Sequence, residues 1–205
     1  IDARRAVAAD YARRGIAVDP ERLVLTASTS EAYSLLFKLL AAPGDEVLVP
    51  RPSYPLFELL TSLDGVAARP YDLEYHGIWS IDLAGIERAV GPGTRALLVV
   101  NPNNPTGSFV SQVEWERLAA ICGPRGIALI VDEVFADYEL EPHHPVDRAR
   151  VLTRHDVLVF ALGGWALEER IFWLAAVLFI GVPAWRLYRR FREPRGYYLL
   201  GYGSA

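Results

Sequence analysis

The sequence predicts an α/β protein: a mostly parallel sheet with helices on both faces. Three observations predict it. Apolar runs of strand length recur at Leu23–Leu25, Val47–Val49, Ala96–Val100, Ile127–Val131 and Val157–Phe160. The later runs hold no polar residue, as expected of strands buried on both faces. Segments with helical periodicity separate the runs, and this alternation describes βα units joined by right-handed crossovers.

Each element follows from local signals. Ile1 to Arg14 is rich in Ala and Arg and reads as a helix closed by Gly15. Val18-Asp19-Pro20 makes a turn into the strand Leu23–Leu25. Ser28 and Glu31 stand three residues apart in a capping-box pattern, which opens a helix to about Leu40. Pro43-Gly44 ends it. Val47–Val49 is the next strand, stopped by Pro50 and Pro52. Leu56 to Leu63 is helical and Val66 to Tyr71 is extended. Asp82 to Val90 reads as a helix broken by Gly91-Pro92-Gly93. Ala96–Val100 is a buried strand, and Gln112 to Cys122 is an amphipathic helix. Ile127–Val131 and Val157–Phe160 complete the strands.

Composition narrows the function classes. The 205 residues are 52% hydrophobic and 22% charged, which is globular rather than disordered. A net charge of −4 gives no sign of a nucleic-acid partner. The single cysteine, Cys122, excludes an internal disulfide and a cysteine-rich metal site, and fits a reducing, cytoplasmic compartment. The chain opens at Ile1 without a signal-peptide pattern, so a piece cut from a longer protein is expected. Lysine and arginine total 21, yet Lys38 is the only lysine. Chemistry that needs a side-chain amine must use Lys38 or be absent.

In open α/β sheets ligands bind beyond the carboxyl ends of the strands. Four places therefore matter. Ser28, Thr29 and Ser30 begin a helix, where unpaired N–H groups and the helix dipole favour a phosphate. The same pattern also describes a capped helix with no ligand. In Arg51-Pro52-Ser53-Tyr54-Pro55, two of the prolines stiffen a loop that presents Tyr54, either to stack on a flat ligand or to pack beneath the loop. Asn101-Pro102-Asn103-Asn104-Pro105-Thr106-Gly107 follows a buried strand with three asparagines, whose amides can donate to an anionic oxygen. An ordinary turn rarely needs so many specialised residues in a row. Asp132 ends a strand as a carboxylate that must be paired or solvated.

In this order and spacing, these residues resemble the pyridoxal-phosphate (PLP) dependent aminotransferases of fold type I, class I/II. The resemblance runs from about Ile1 to Gly164, and the Asn101–Gly107 run is its specific part. It implies that Ser28, Thr29 and Ser30 bind the PLP phosphate. It implies that Tyr54 stacks on the pyridine ring and that Asn104 hydrogen-bonds the phenolic oxygen. Asp132 matches the carboxylate that keeps the ring nitrogen protonated. The resemblance further implies amino acid and 2-oxo acid substrates and a homodimer.

The sequence departs from that family in two places. Many relatives carry Tyr three residues after the Asp, where this chain has Phe135. Tyr138 is nearby, without an assignable role. After Gly163-Gly164 the family continues Leu-Ser-Lys, the Lys being the Schiff-base residue, whereas this chain reads Trp165-Ala166-Leu167-Glu168-Glu169-Arg170. Lys38 lies ten residues into the helix opened by Ser28, roughly 15 Å from its phosphate end. The Schiff-base lysine is therefore absent, and an inactive fragment is expected.

Two regions result: 1–164, a PLP-binding portion, and 165–205, an atypical apolar and Arg-rich tail. Read one base later, the codons of Trp165 to Glu169 permit Gly, Leu, Ser and then only Lys or Arg. The expectation from this pattern is a reading frame shifted past Gly164. The tail also holds 171–185, an uncharged run of 15 apolar, Gly or Pro residues, followed by Arg186, Arg189, Arg190 and Arg192. A membrane span needs about 20. The rival expectation is a non-catalytic, membrane-associated protein that reuses the fold.

Overall fold

The computed structural model describes residues 2–13, 15–135, 157–160 and 198–201, the last two stretches as backbone. Tyr138, the junction at 164–170 and the apolar run 171–185 lie outside the described residues. The elements in chain order are α1 (Asp2–Arg13), β1 (Leu23–Thr26), α2 (Thr29–Leu40), β2 (Glu46–Arg51), α3 (Leu56–Leu63) and β3 (Ala67–Tyr75). They continue with β4 (Trp79–Ile81), α4 (Leu83–Ala89), β5 (Thr94–Val100), α5 (Gln112–Cys122), β6 (Ala128–Asp132), β7 (Val157–Phe160) and β8 (Tyr198–Gly201).

The strands form one eight-stranded sheet in the order β1-β8-β7-β6-β5-β2-β3-β4. Every neighbouring pair is parallel except β3 with β4. The α/β class and the mostly parallel sheet are as the sequence predicts. β5 shows why its apolar run is unbroken. Leu97 and Val99 enter one core with Val7, Tyr11, Trp115 and Leu118, whereas Ala96, Leu98 and Val100 enter a second core with Leu36, Phe37 and Phe57. Side chains two apart share a face, so the strand feeds the α1, α4 and α5 layer on one side and the α2 and α3 layer on the other.

Three differences from the sequence expectation have local causes. β2 runs through Pro50 to Arg51. Its described pairing with β5 ends at Leu48, so a residue without an N–H is tolerated two positions on. β4 has only three residues, too few for a periodic signal, and forms as the return arm of a hairpin on β3. β8 is the third. Tyr198–Gly201 pairs with both β1 and β7, partners far away in sequence.

α5 begins with a complete capping box. Ser111 Oγ accepts from the Glu114 N–H and Glu114 Oε2 accepts from the Ser111 N–H at 2.7 Å. The other carboxylate oxygen of Glu114 accepts from the Ile81 N–H at 2.8 Å, so one side chain ties α5 to β4. Replacing Glu114 with Ala is expected to cost about 1–2 kcal/mol. Denaturant unfolding reads that cost, and amide exchange at Ile81 should accelerate. Unchanged exchange at Ile81 would contradict the tie.

Among the described residues no helix is long and apolar enough to cross a membrane. Cys122 is buried in the α5 layer, and burial pushes its thiol up to about 12 despite nearby Arg125.

Candidate active site

Parallel pairing puts the carboxyl ends of β1, β2, β5 and β6 on one edge, which is where all four predicted segments begin. Ser28 is the N-cap of α2, its hydroxyl accepting from the Glu31 N–H at 3.1 Å. The return arm of the expected capping box reaches one residue further: Glu31 Oε2 accepts from the Ala27 N–H at 2.6 Å. Thr26 Oγ1 donates to the Ser28 carbonyl at 2.9 Å and fastens the helix start to the end of β1. Ser28, Thr29 and Ser30 are half-buried there. Glu31 thus takes up the Ala27 N–H, which precedes the helix.

The asparagine loop separates into builders and a presented residue. Asn101 is 1% exposed, and its Oδ1 accepts from the Val110 N–H at 3.0 Å. Asn103 is also buried, and its amide donates to Thr106 Oγ1 at 3.0 Å and to the Pro52 carbonyl at 3.2 Å. The second of these bonds joins the loop to the Arg51–Pro55 loop. Asn104 is half-buried, and its amide bonds to no other described residue. The bonds Arg51–Pro52, Asn101–Pro102 and Asn104–Pro105 are cis. Gly107 closes the loop, its N–H donating to the Asn103 carbonyl at 2.7 Å with φ at +71°. A Cβ there would meet nothing within 4 Å, so only the backbone opposes Gly107→Ala. We expect about 1 kcal/mol of destabilisation by denaturant unfolding; a stabilised variant would contradict the left-handed conformation.

Asp132 is 7% exposed at the end of β6. Its Oδ1 accepts from the Val134 N–H at 2.9 Å, and its Oδ2 accepts from the Tyr33 hydroxyl. Its carbonyl accepts from the Asn101 N–H at 2.8 Å, which brings the root of the asparagine loop beside it. Among the described residues no Lys, Arg or His forms an ion pair with Asp132. Burial pushes its carboxyl above the usual carboxylate range, and the bonds from Tyr33 and Val134 oppose that only partly. Burial first, and then Asp132, push the Tyr33 phenol well up, so it remains a donor.

Tyr54 is 46% exposed, with its ring edge-on to Phe57 at 6.3 Å. Phe57 lies edge-on to Tyr33 at 5.2 Å. Rings therefore lead from Tyr54 through Phe57 and Tyr33 to Asp132. The segments expected from the sequence share one strand edge, although no hydrogen bond joins Asn104 or Ser28–Ser30 directly to Asp132. Tyr33 was not singled out from the sequence. It reads as one more apolar position of an amphipathic helix, and its partner is 99 residues away. Lys38 points elsewhere: its ammonium pairs with Asp64 at 2.9 Å and donates to Ser34 Oγ at 2.6 Å.

PLP can be tested against this donor set. A buried carboxylate without a cationic partner among the described residues suits a protonated ring nitrogen. A spare Asn amide suits a phenolate, and a helix N-terminus suits a phosphate. Two buried oxygens in these loops, Ser53 Oγ and Asn103 Oδ1, have no hydrogen-bond partner among the described residues. The residues present fit the ring and the phosphate. Nothing described fits the aldehyde carbon, because Lys38 is held by Asp64.

A doubly covered parallel sheet with a carboxylate, an asparagine loop and a hydroxyl-rich helix start on one edge defines the large domain of a fold type I enzyme. The sequence matches the aminotransferase class I and II profile over residues 1–164, and the chain belongs to that family. The S-alkyl-thiohydroximate lyase SUR1 of Arabidopsis thaliana is 37% identical over 66% of this chain and 29% of its own length. The probable aminotransferase TAT1 of the same plant is 32% identical over 96% of this chain and 41% of its own. The alanine aminotransferase of Pyrococcus furiosus superposes with a TM-score of 0.72 at 28% identity, covering 94% of this chain and 51% of that one. The chain thus spans well under two thirds of the length of these relatives. Family members use PLP, and its aminotransferases act on amino acids and 2-oxo acids.

Proposed function

We propose that this chain is the cofactor-binding portion, residues 1–164, of a cytoplasmic PLP-dependent aminotransferase, and that it holds PLP without a covalent bond and does not transaminate. The observation that carries the reading is Asp132, a buried carboxylate with two neutral donors and no cationic partner among the described residues. A protonated pyridine nitrogen supplies the missing positive charge. When bound, PLP supplies an electron sink for the Cα of an amino acid. Asp132 keeps the proton on the ring nitrogen. Asn104 donates to the phenolic oxygen, Tyr54 covers the ring, and Ser28, Thr29 and Ser30 bind the phosphate at the α2 N-terminus. Proton transfer at the substrate carbon needs an amine that Lys38 cannot bring there. The full-length partner reaction would exchange an amino group between an amino acid and a 2-oxo acid in a homodimer.

Titration of the purified chain with PLP tests this reading. Saturable changes in absorbance and in tyrosine and tryptophan fluorescence are expected. Borohydride should leave no cofactor adduct on the protein mass, and no amino acid should be turned over. No saturable binding would sink the cofactor reading. A trapped adduct with turnover would sink the inactive one. We also propose that 165–205 is an atypical tail read in a shifted frame. The coding DNA past Gly164 decides it: codons that do not spell Gly-Leu-Ser-Lys one base on end that idea.

A further inference from the structure

The bond between Tyr33 and Asp132 is not explained by packing alone. Tyr33 is 3% exposed and sits one turn into α2, the helix whose start carries Ser28, Thr29 and Ser30. Its ring is fixed on two sides, stacked on Phe37 at 6.0 Å and edge-on to Phe57 at 5.2 Å. The hydroxyl has little freedom to leave Asp132 Oδ2. The Val134 N–H holds Oδ1, so the carboxylate is gripped from both oxygens. Each oxygen keeps a second lone pair, and one can still accept from a ring N–H.

We propose that Tyr33 is a positioning residue for the ring-nitrogen carboxylate: its hydroxyl aims Asp132 and takes up part of the negative charge that Asp132 offers to the cofactor. The proposal rests on the PLP reading of the site. Hydrogen bonds to a carboxylate lower its basicity, and a charge-assisted bond does so more than an ordinary one. Tyr33 therefore tempers how strongly the ring nitrogen is kept protonated. The same helix presents the phosphate segment at Thr29 and the clamp at Tyr33, four residues on, a rise of about 6 Å. α2 thereby couples the two ends of the cofactor site in one rigid element.

The test compares the parent chain with Tyr33→Phe and with 3-fluorotyrosine incorporated at residue 33. Phe keeps the ring and removes the donor; fluorination keeps the fold and makes the phenol a stronger donor. In the cofactor-free chain, the carbon-13 carboxyl resonance of Asp132 is followed against pH. With ring-nitrogen-15 PLP added, the nitrogen resonance is followed likewise. Tyr33→Phe should shift both titrations upward and the fluorinated form should shift both downward, the latter with an unfolding midpoint near that of the parent. A merely structural Tyr33 would leave both titrations in place, and that result overturns the proposal. If PLP binds neither parent nor variants, the cofactor reading falls and the role toward the ring falls with it. The carboxyl titration then reports separately whether the clamp exists. If Tyr33→Phe does not fold, the fluorinated form decides alone.

Discussion

Replacing Asp132 with Asn is expected to weaken PLP binding by roughly 10- to 100-fold while making the cofactor-free chain more stable at neutral pH. The first effect follows from losing a charge-assisted partner of the ring nitrogen, worth about 1.5–3 kcal/mol. The second follows from burial. Burial makes the carboxylate form of Asp132 less favourable in the folded chain than in water, and the bonds from Tyr33 and Val134 offset this only in part. Between the unfolded and folded pKa values the folded state therefore binds more protons than the unfolded state. Stability falls as pH rises through the folded pKa, and the penalty is absent below the unfolded value of about 3.9. Asn stays neutral throughout and can still hydrogen-bond Tyr33. Its gain in melting temperature should be largest at pH 7–8 and vanish toward pH 4. A variant that binds PLP as tightly as the parent would remove Asp132 from the site. A loss of stability at pH 8 would contradict the charge penalty.

Phe37→Ala should produce the largest loss of stability, about 3–5 kcal/mol. Phe37 is 0% exposed, between α2 and the second core face. Truncation leaves a cavity that β2, β5 and α3 cannot close together. The loss is a large share of the 5–15 kcal/mol typical of a domain. In urea the midpoint should fall with little change in slope. Because the ring also backs Tyr33, the Asp132 carboxyl titration should broaden or move in the same variant. A cost below about 1 kcal/mol would mean that α2 is not seated as described.

Much of the sheet was legible because burial on both faces leaves a local mark. A run such as Ala96–Val100 cannot be amphipathic when both of its faces are core, and Ser28 to Glu31 marks a helix start within four residues. The short β4 and β8 were not legible. Three or four residues carry no period, and β8 exists only through its partners β1 and β7. The candidate site was legible in part. Asn101–Gly107 and Asp132 stand out because polar residues directly after a buried strand need a reason. Which asparagine is spent on the loop and which is left over could not be read there. That depends on Pro52 and Val110 arriving from elsewhere in the chain.

The sequence by itself determined the α/β class, the family resemblance, the strand edge that carries the candidate site, and the lack of any lysine but Lys38. These rest on residue type and short-range spacing, which need no partner. Only the tertiary structure decided that Tyr33 grips Asp132 and that Asp64 holds Lys38. It alone also showed that Asp132 has no cationic partner among the described residues. Burial and pairing are properties of groups brought together across many residues, and a chain of letters does not state what a side chain will face.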